Sequence, residues 1–146
     1  MKKIGAFLLT FALLAVTMIP SSLAAANNWQ DTETVYSELG DVEIITTIHY
    51  AISRSGGSAN KTSTVKSDGK VIAEVTLSAT FGYDGKTAWV SNASSSHTTY
   101  SGWSYGSEKI TKSGGTASLT GTLSHLLHRN IPVNISLTCS PTGQIS

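Results

Sequence analysis

One G-x-S-x-G pattern, Gly102-Trp103-Ser104-Tyr105-Gly106, is the closest approach of this sequence to a catalytic motif. In hydrolases the pattern forms a sharp strand-to-helix turn that exposes the serine, and an acid and a histidine follow it along the chain. Here no Asp follows Ser104, and the only later acid, Glu108, lies too near in sequence to act as the third member. A β-turn rich in glycine and aromatic residues explains the pattern with fewer requirements. We therefore expect no catalytic residues and a protein that is not an enzyme.

The four histidines, His49, His97, His125 and His128, are the other residues with possible chemistry. His125 and His128 have a spacing that could bind zinc on a helix, but they fall at the tip of an expected hairpin. A structural zinc site needs four ligands, and His49 and His97 would have to converge on the tip to supply them. Solvated histidines require no such convergence. The sequence predicts neither a metal site nor another cofactor.

Aromatic side chains in the middle of the sequence give the strongest indication of a function. Tyr100, Trp103 and Tyr105 lie in a segment otherwise composed of small and polar residues, and Trp89 precedes them. Planar rings on an exposed sheet face give a large contact area with few rotamers to freeze, and such a face can stack on sugar rings. We expect Trp89 in the core, and Tyr100, Trp103 and Tyr105 on a ligand-binding surface. For Trp103 and Tyr105, which share one strand face, burial in the core is the equal alternative.

In the segments that must position these residues, apolar and polar residues alternate with period two from residue 27 onward, and the helical period is missing. Apolar residues on one face and Thr, Ser or Glu on the other are typical of strands that pack inward and are wetted outward. One such run comprises Val71, Ala73, Val75, Leu77, Ala79 and Phe81. Near the carboxyl end we expect two runs to face each other, one with Leu119, Gly121 and Leu123 and the other with Ile131, Val133, Ile135 and Leu137.

Turn residues separate the alternating runs. Asp68-Gly69 and Asp84-Gly85 favour tight hairpin turns because glycine tolerates positive φ. Further breaks are expected at Gly40-Asp41, at 54–60, at 113–115 and at 126–130 between the last two strands. This gives eight or nine strands at the spacing of an antiparallel sandwich. We predict an all-β chain, folded as a single antiparallel β-sandwich of about eight strands in one domain over residues 27–146.

Residues 1–26 have the layout of a secretory signal peptide. Lys2 and Lys3 form a short positive region, an uncharged apolar run covers 4–18, and small residues follow Pro20. The run is shorter than the roughly 20 apolar residues that a spanning helix needs. We expect cleavage after Ala26, with Ala24 as the alternative, and release into the extracellular medium without a membrane anchor.

The charge of the expected mature chain excludes nucleic acid as a partner. Residues 27–146 have eight of the ten Lys and Arg and all nine Asp and Glu, a net charge of −1, because Lys2 and Lys3 leave with the signal. The remaining lysines are scattered among Ser, Thr and Gly, and they form no basic stripe.

Cys139 is the only cysteine, so no disulfide can form within one chain. It shares strand parity with Val133, Ile135 and Leu137, which predicts a buried, unpaired thiol in a monomeric protein. An intermolecular disulfide is the alternative for a lone cysteine in a secreted protein.

The segments 115–123 and 131–146, with their alternating apolar and hydroxyl residues, resemble the carboxyl-terminal hairpin of small secreted β-sandwich proteins of Gram-positive bacteria. The resemblance implies a secreted β-sandwich and carries no functional residues with it. Together with the aromatic segment, it leads us to expect a secreted binding protein for an extracellular or cell-envelope ligand, with a glycan favoured. The alternative is a secreted antagonist, similar to a bacteriocin, that acts on neighbouring cells.

Overall fold

Eight β-strands and no helix make up the part of the chain that the computed structural model describes, residues 26–37, 40–52 and 56–146. The strands are β1 (Ala26–Ser37), β2 (Gly40–Ile52), β3 (Gly56–Ser67), β4 (Lys70–Tyr83), β5 (Ala88–Thr99), β6 (Ser104–Ser113), β7 (Thr116–His125) and β8 (His128–Thr138). Side chains are described for 42–50 and 56–146. The predicted all-β class is confirmed. The expected signal peptide, residues 1–26, lies outside the described residues except for Ala26, with which β1 begins.

The strands form two antiparallel sheets in which neighbours along the chain are also neighbours in space. One sheet has five strands in the order β1-β2-β3-β4-β5, and the other has three in the order β6-β7-β8. The chain passes from the first sheet to the second between β5 and β6, through a turn closed by a hydrogen bond of 3.1 Å from the Trp103 amide to the Tyr100 carbonyl. At the opposite end of β5, the Val90 amide donates to the Gly114 carbonyl at 3.0 Å. Both ends of β5 are thus fixed against the three-stranded sheet.

Apolar side chains from both sheets form one buried cluster. The largest side chains that are fully buried are Phe81, Leu77, Leu119, Leu123, Leu137, Val65 and Val75. The opposed runs near the carboxyl end are confirmed, because Leu119 pairs with Ile135 and Leu123 pairs with Ile131 in the β7–β8 register. Burial of these side chains, at about 25 cal/mol for each Å² of apolar surface, is the main force that holds the two sheets together.

The alternation predicted for β4 holds from Ala73 to Phe81 but not at its first residues. A register shift between Val65 and Lys66 leaves Ile72 without an opposite residue in β3. Ile72 is buried while Val71 is only half buried, so the bulge exchanges their expected sides. A bulge adds one residue to one strand, so the side chains before it face the side opposite to the one that simple alternation predicts.

The expected turns form at both Asp-Gly pairs. Asp68 and Gly69 have φ of 50° and 75°, as a tight hairpin turn with both central residues in the left-handed region requires. The Asp84 carboxylate accepts hydrogen bonds from the Lys86 amide at 2.9 Å and the Thr87 amide at 2.7 Å, and these bonds lower the pKa of that carboxyl. The loop expected over 54–60 is shorter than predicted, because β3 already begins at Gly56.

Cys139 is buried, as predicted. Its backbone pairs with Ile145, so the last residues of the chain fold back along the end of β8. The thiol donates to the Ser140 carbonyl with a sulfur–oxygen distance of 3.5 Å, and burial raises its pKa. Only 3% of the residue is exposed, so the folded chain shields the sulfur from solvent.

Candidate functional site

Trp103 is buried, with 8% of its surface exposed. Ser101 and Gly102 have φ of 55° and 80°, so the turn after β5 reverses sharply and directs the indole beneath the β7–β8 hairpin. There the ring stacks on His128 with 5.5 Å between centroids and lies 5.2 Å from the centroid of His125. The expectation of an exposed Trp103 is therefore wrong, and the buried alternative holds. The turn predicted within the G-x-S-x-G segment lies earlier, at residues 100–103.

Tyr105 also packs inward and is half buried. Its ring lies across Gly121 and occupies the space that a β-carbon there would need. The ring centroid is 4.8 Å from that of His97. The phenol oxygen is buried and has no hydrogen-bond partner among the described residues. Burial first, and the nearby Glu108 carboxylate second, raise the pKa of Tyr105.

Tyr100 alone of the three expected ligand-binding residues presents an exposed ring, with 41% of its surface accessible. Its amide donates to the Ile72 carbonyl at 2.9 Å, and its hydroxyl donates to the Glu74 carboxylate at 3.2 Å. The hydrogen bond to Glu74 is the main cause that raises the pKa of Tyr100. The structure does not bring Tyr100, Trp103 and Tyr105 together on one exposed surface.

Trp89 is exposed instead, with 45% of its surface accessible. The expectation that Trp89 lies in the core is therefore wrong. A register shift between Thr80 and Phe81 sets Trp89 opposite Gly82, while Val90 packs against the core. The indole fills the space that a β-carbon on Gly82 would need, so the ring rests on the β4 backbone. The other side of the ring remains open to solvent.

Polar side chains, most of them hydroxyl residues, occupy the outward face of β2 to β5 between these two rings. The register places three rows of residues across β2 to β5, which we call the polar face: Ile45, Thr64, Glu74 and Thr98; Thr47, Thr62, Thr76 and Ser96; His49, Asn60, Ser78 and Ser94. Rows of this kind repeat at about 7 Å along the strands, with about 4.8 Å between strands. The hydroxyls of Thr62 and Thr76 are hydrogen-bonded at 2.8 Å.

Trp89 and Tyr100 lie at opposite ends of the polar face. Trp89 is the second residue of β5 and Tyr100 follows its last residue, so the two rings are roughly 35 Å apart at about 3.3 Å per residue. A shallow cleft of about 210 Å³ lies beside Tyr100, lined by Thr62, Glu74, Thr76, Ser96, His97 and Thr98. An extended ligand with polar groups along its length could thus contact both rings and the hydroxyl rows.

A second concavity lies among residues of β2, β3 and β8 and the last residues of the chain. It has a volume of about 500 Å³ and is lined by Ile48, Tyr50, Lys61, Ser136, Thr138, Ile145 and Ser146. Its lining combines the apolar side chains of Ile48 and Ile145 with hydroxyl residues of β8. The exposed aromatic rings are on the other side of the five-stranded sheet.

The remaining residues with possible chemistry do not converge. Ser104 is exposed and donates to the Ser124 carbonyl at 3.3 Å. His125 and His128 face each other across the β7–β8 turn with 4.6 Å between ring centroids. Within the described residues, no group of three His, Cys, Asp or Glu side chains could hold a metal ion.

Comparison with protein-family models, with curated proteins and with solved structures finds no match to this chain. The described residues include no helix long and apolar enough to cross a membrane. Function therefore has to be inferred from the chemistry of the two sheet surfaces.

Proposed function

We propose that this protein is a secreted β-sandwich that binds an extracellular glycan on the polar face, with Trp89 and Tyr100 as the stacking rings. The observation that carries the proposal is the placement of these two exposed rings at opposite ends of one hydroxyl-covered sheet face. The signal-peptide pattern and the resemblance of the carboxyl-terminal hairpin support secretion. The single apolar cluster shared by both sheets supports the sandwich.

The polar face offers the two kinds of contact that a carbohydrate needs. Threonine and serine hydroxyls both donate and accept hydrogen bonds, as sugar hydroxyls do, and the Glu74 carboxylate is a strong acceptor. Aromatic rings bind the apolar faces of sugar rings through contact area. A ligand that combines many hydroxyls with small apolar faces therefore fits this surface better than a purely charged or purely apolar one.

Both rings are held in place before a ligand arrives. Trp89 rests on the backbone at Gly82, and the hydroxyl of Tyr100 is bonded to Glu74. A fixed ring loses little rotamer freedom on binding, which reduces the entropic cost of association. A protein ligand is less favoured, because protein interfaces usually contain a buried apolar centre and the polar face has none between its two rings.

The proposal is tested with protein purified from culture medium, on a glycan array and in sedimentation with insoluble peptidoglycan. Trp89→Ala and Tyr100→Ala should each weaken binding about threefold to tenfold, and the double variant more. Tyr100→Phe keeps the ring and should retain most of the binding. Thr120→Ala, at an exposed position of β7 in the other sheet, is the matched control and should bind like the wild type.

Binding that survives the double variant, or no binding to any glycan, would contradict the proposal. The alternative function, a secreted antagonist, predicts growth inhibition when the wild-type protein is spotted on lawns of neighbouring bacteria. Inhibition by the double variant at full strength, without glycan binding by the wild type, would replace the glycan proposal with the antagonist.

A further inference from the structure

The strand β8 pairs with β7 along one edge, and among the described residues no strand pairs with its second edge. Over residues 131–138 the β7–β8 register is regular and contains no bulge. Because antiparallel strands alternate between hydrogen-bonded and non-hydrogen-bonded pairs, every second residue of β8 directs its amide and carbonyl away from β7. The parity of those residues decides which backbone groups are available to a partner.

Two sets of backbone hydrogen bonds establish that parity. The Cys139 amide donates to the Gly115 carbonyl at 2.8 Å, so the odd-numbered residues of this segment pair with β7. Thr138 pairs on the other edge, where its amide donates to the Ser146 carbonyl at 2.9 Å and its carbonyl accepts from the Ser146 amide at 3.0 Å. The even-numbered residues of β8 therefore direct their backbone groups to the second edge.

The unoccupied part of this second edge comprises the backbone groups of Asn134 and Ser136, and we call it the free edge. Among the described residues, no backbone group pairs with these two amides. At one end of the free edge, Ser146 occupies the place beside Thr138. At the other end, Pro132 has the same parity and no N–H group, as is usual for proline in an edge strand. A strand of about five residues fits between these two limits.

The free edge also lacks the features that usually prevent added pairing. In the other edge strand of this sheet, β6, the register shifts between Gly106 and Lys109, and Glu108, Lys109 and Lys112 are charged. Bulges and charged side chains commonly keep edge strands from pairing with another chain. Residues 133–138 of β8 have neither. Of the two edge strands of this sheet, β8 is therefore the one open to pairing.

The concavity of about 500 Å³ lies directly beside the free edge, because Ser136 and Thr138 belong to its lining. Ile48, which also lines it, is part of the buried cluster, so the concavity is on the inner face of the sheets. Successive side chains of a strand point to opposite faces. A strand added beside β8 would thus direct every second side chain inward, toward Ile48 and Ile145. The volume lies in the range of about 300–1,000 Å³ that is usual for binding pockets.

We propose that an extended peptide segment of another protein adds to β8 at the free edge and places alternate apolar side chains in the concavity. A peptide backbone matches this edge because it repeats an amide and a carbonyl at the strand spacing. Ser146 makes the same kind of pairing at Thr138. A second copy of β8 fits less well, because a strand of 11 residues is longer than the space between Ser146 and Pro132.

The test uses protein purified from culture medium and an array of capped heptapeptides with Val, Ile or Leu at alternate positions and Thr or Ser between them. The wild-type protein should bind a subset of these peptides. Ser136→Pro should weaken that binding about tenfold, because proline removes the amide that donates to the peptide. Circular dichroism should show an unchanged fold, since this amide does not pair with β7. The matched control is Ser136→Ala, which keeps the amide and should bind like the wild type.

A second measurement leaves the protein unchanged. N-methylation of the tightest-binding heptapeptide, at one position at a time, should weaken binding about tenfold at alternate positions only, because every second peptide amide faces β8. The amides of Asn134 and Ser136 should also exchange with solvent more slowly when this peptide is bound.

No binding of any heptapeptide, or equal sensitivity to N-methylation at adjacent positions, would overturn the proposal. Full binding by a folded Ser136→Pro variant would overturn it as well. A wild-type dimer in sedimentation equilibrium that Ser136→Pro abolishes would replace the peptide with a second copy of this chain. Ser136→Pro should bind glycans like the wild type, because the polar face is on the other side of the five-stranded sheet, so the two proposals can fail separately.

Discussion

The change Trp103→Ala should destabilise the fold far more than Trp89→Ala, although both remove an indole. Trp103 is 8% exposed and Trp89 is 45% exposed, a difference of roughly a third of the residue surface. A tryptophan side chain can bury about 250 Å², so this difference amounts to about 2 kcal/mol at 25 cal/mol per Å². Trp103→Ala also leaves a cavity beneath the β7–β8 hairpin. We therefore expect a loss of about 3–5 kcal/mol for Trp103→Ala and about 1–3 kcal/mol for Trp89→Ala.

Urea unfolding of the two variants and the wild type, followed by circular dichroism, measures this difference. For a chain of this size, about 4 °C of melting temperature corresponds to 1 kcal/mol, so Trp103→Ala should melt about 12–20 °C below the wild type. Trp103→Phe, which keeps a ring against His125 and His128, should recover part of the loss. Equal destabilisation by Trp103→Ala and Trp89→Ala would refute the assignment of one ring to the core and the other to the surface.

Three further predictions concern single groups. Tyr105→Phe should raise the free energy of unfolding by about 1 kcal/mol, because it removes a buried hydroxyl without a partner among the described residues; a clear loss of stability in urea would mean that the hydroxyl is bonded. Burial raises the pKa of the Cys139 thiol, so the folded chain keeps a proton that the unfolded chain loses, and stability should fall as the pH rises above the ordinary thiol pKa of about 8.5. Cys139→Ala should flatten that alkaline slope, and rapid labelling of the native thiol by a polar reagent would show that it is not buried. Gly82→Ala should displace the Trp89 ring from the β4 backbone and weaken glycan binding, and unchanged glycan binding would show that the support under the ring is unimportant.

The fold class could be predicted from the sequence because the alternation in β4, β7 and β8 directly reflects burial. Leu119 and Leu123 face the core at the expected register, and Cys139 was correctly placed by its parity with Leu137. Parity is reliable only between bulges, however. On the β3–β4 ladder, Ile72 of β4 is the extra residue where the register shifts between Val65 and Lys66, and its side chain is buried; no local feature of the sequence marks that position.

The candidate site was predicted less well, for the same physical reason. Trp89 has apolar neighbours in sequence, but a register shift beside Phe81 places it outward, opposite a glycine. Trp103 has small polar neighbours, but the left-handed residues Ser101 and Gly102 turn it inward. How far each ring is buried depends on backbone geometry at one or two residues, whereas composition reports only the average character of a segment. Gly82 was the available signal for an exposed ring, since a strand glycine often marks close approach of another group.

Residue-resolved mapping of ligand binding tests the central claim most directly. In an amide nitrogen–proton correlation spectrum of the labelled protein, the oligosaccharide with the strongest array signal should shift resonances of β3, β4 and β5 and the indole N–H of Trp89. Resonances of Leu126 and Leu127 and of the concavity around Ile48 and Ile145 should not move. Shifts confined to that concavity or to Leu126 and Leu127, with Trp89 and the hydroxyl rows unaffected, would contradict the assignment of the polar face as the glycan site.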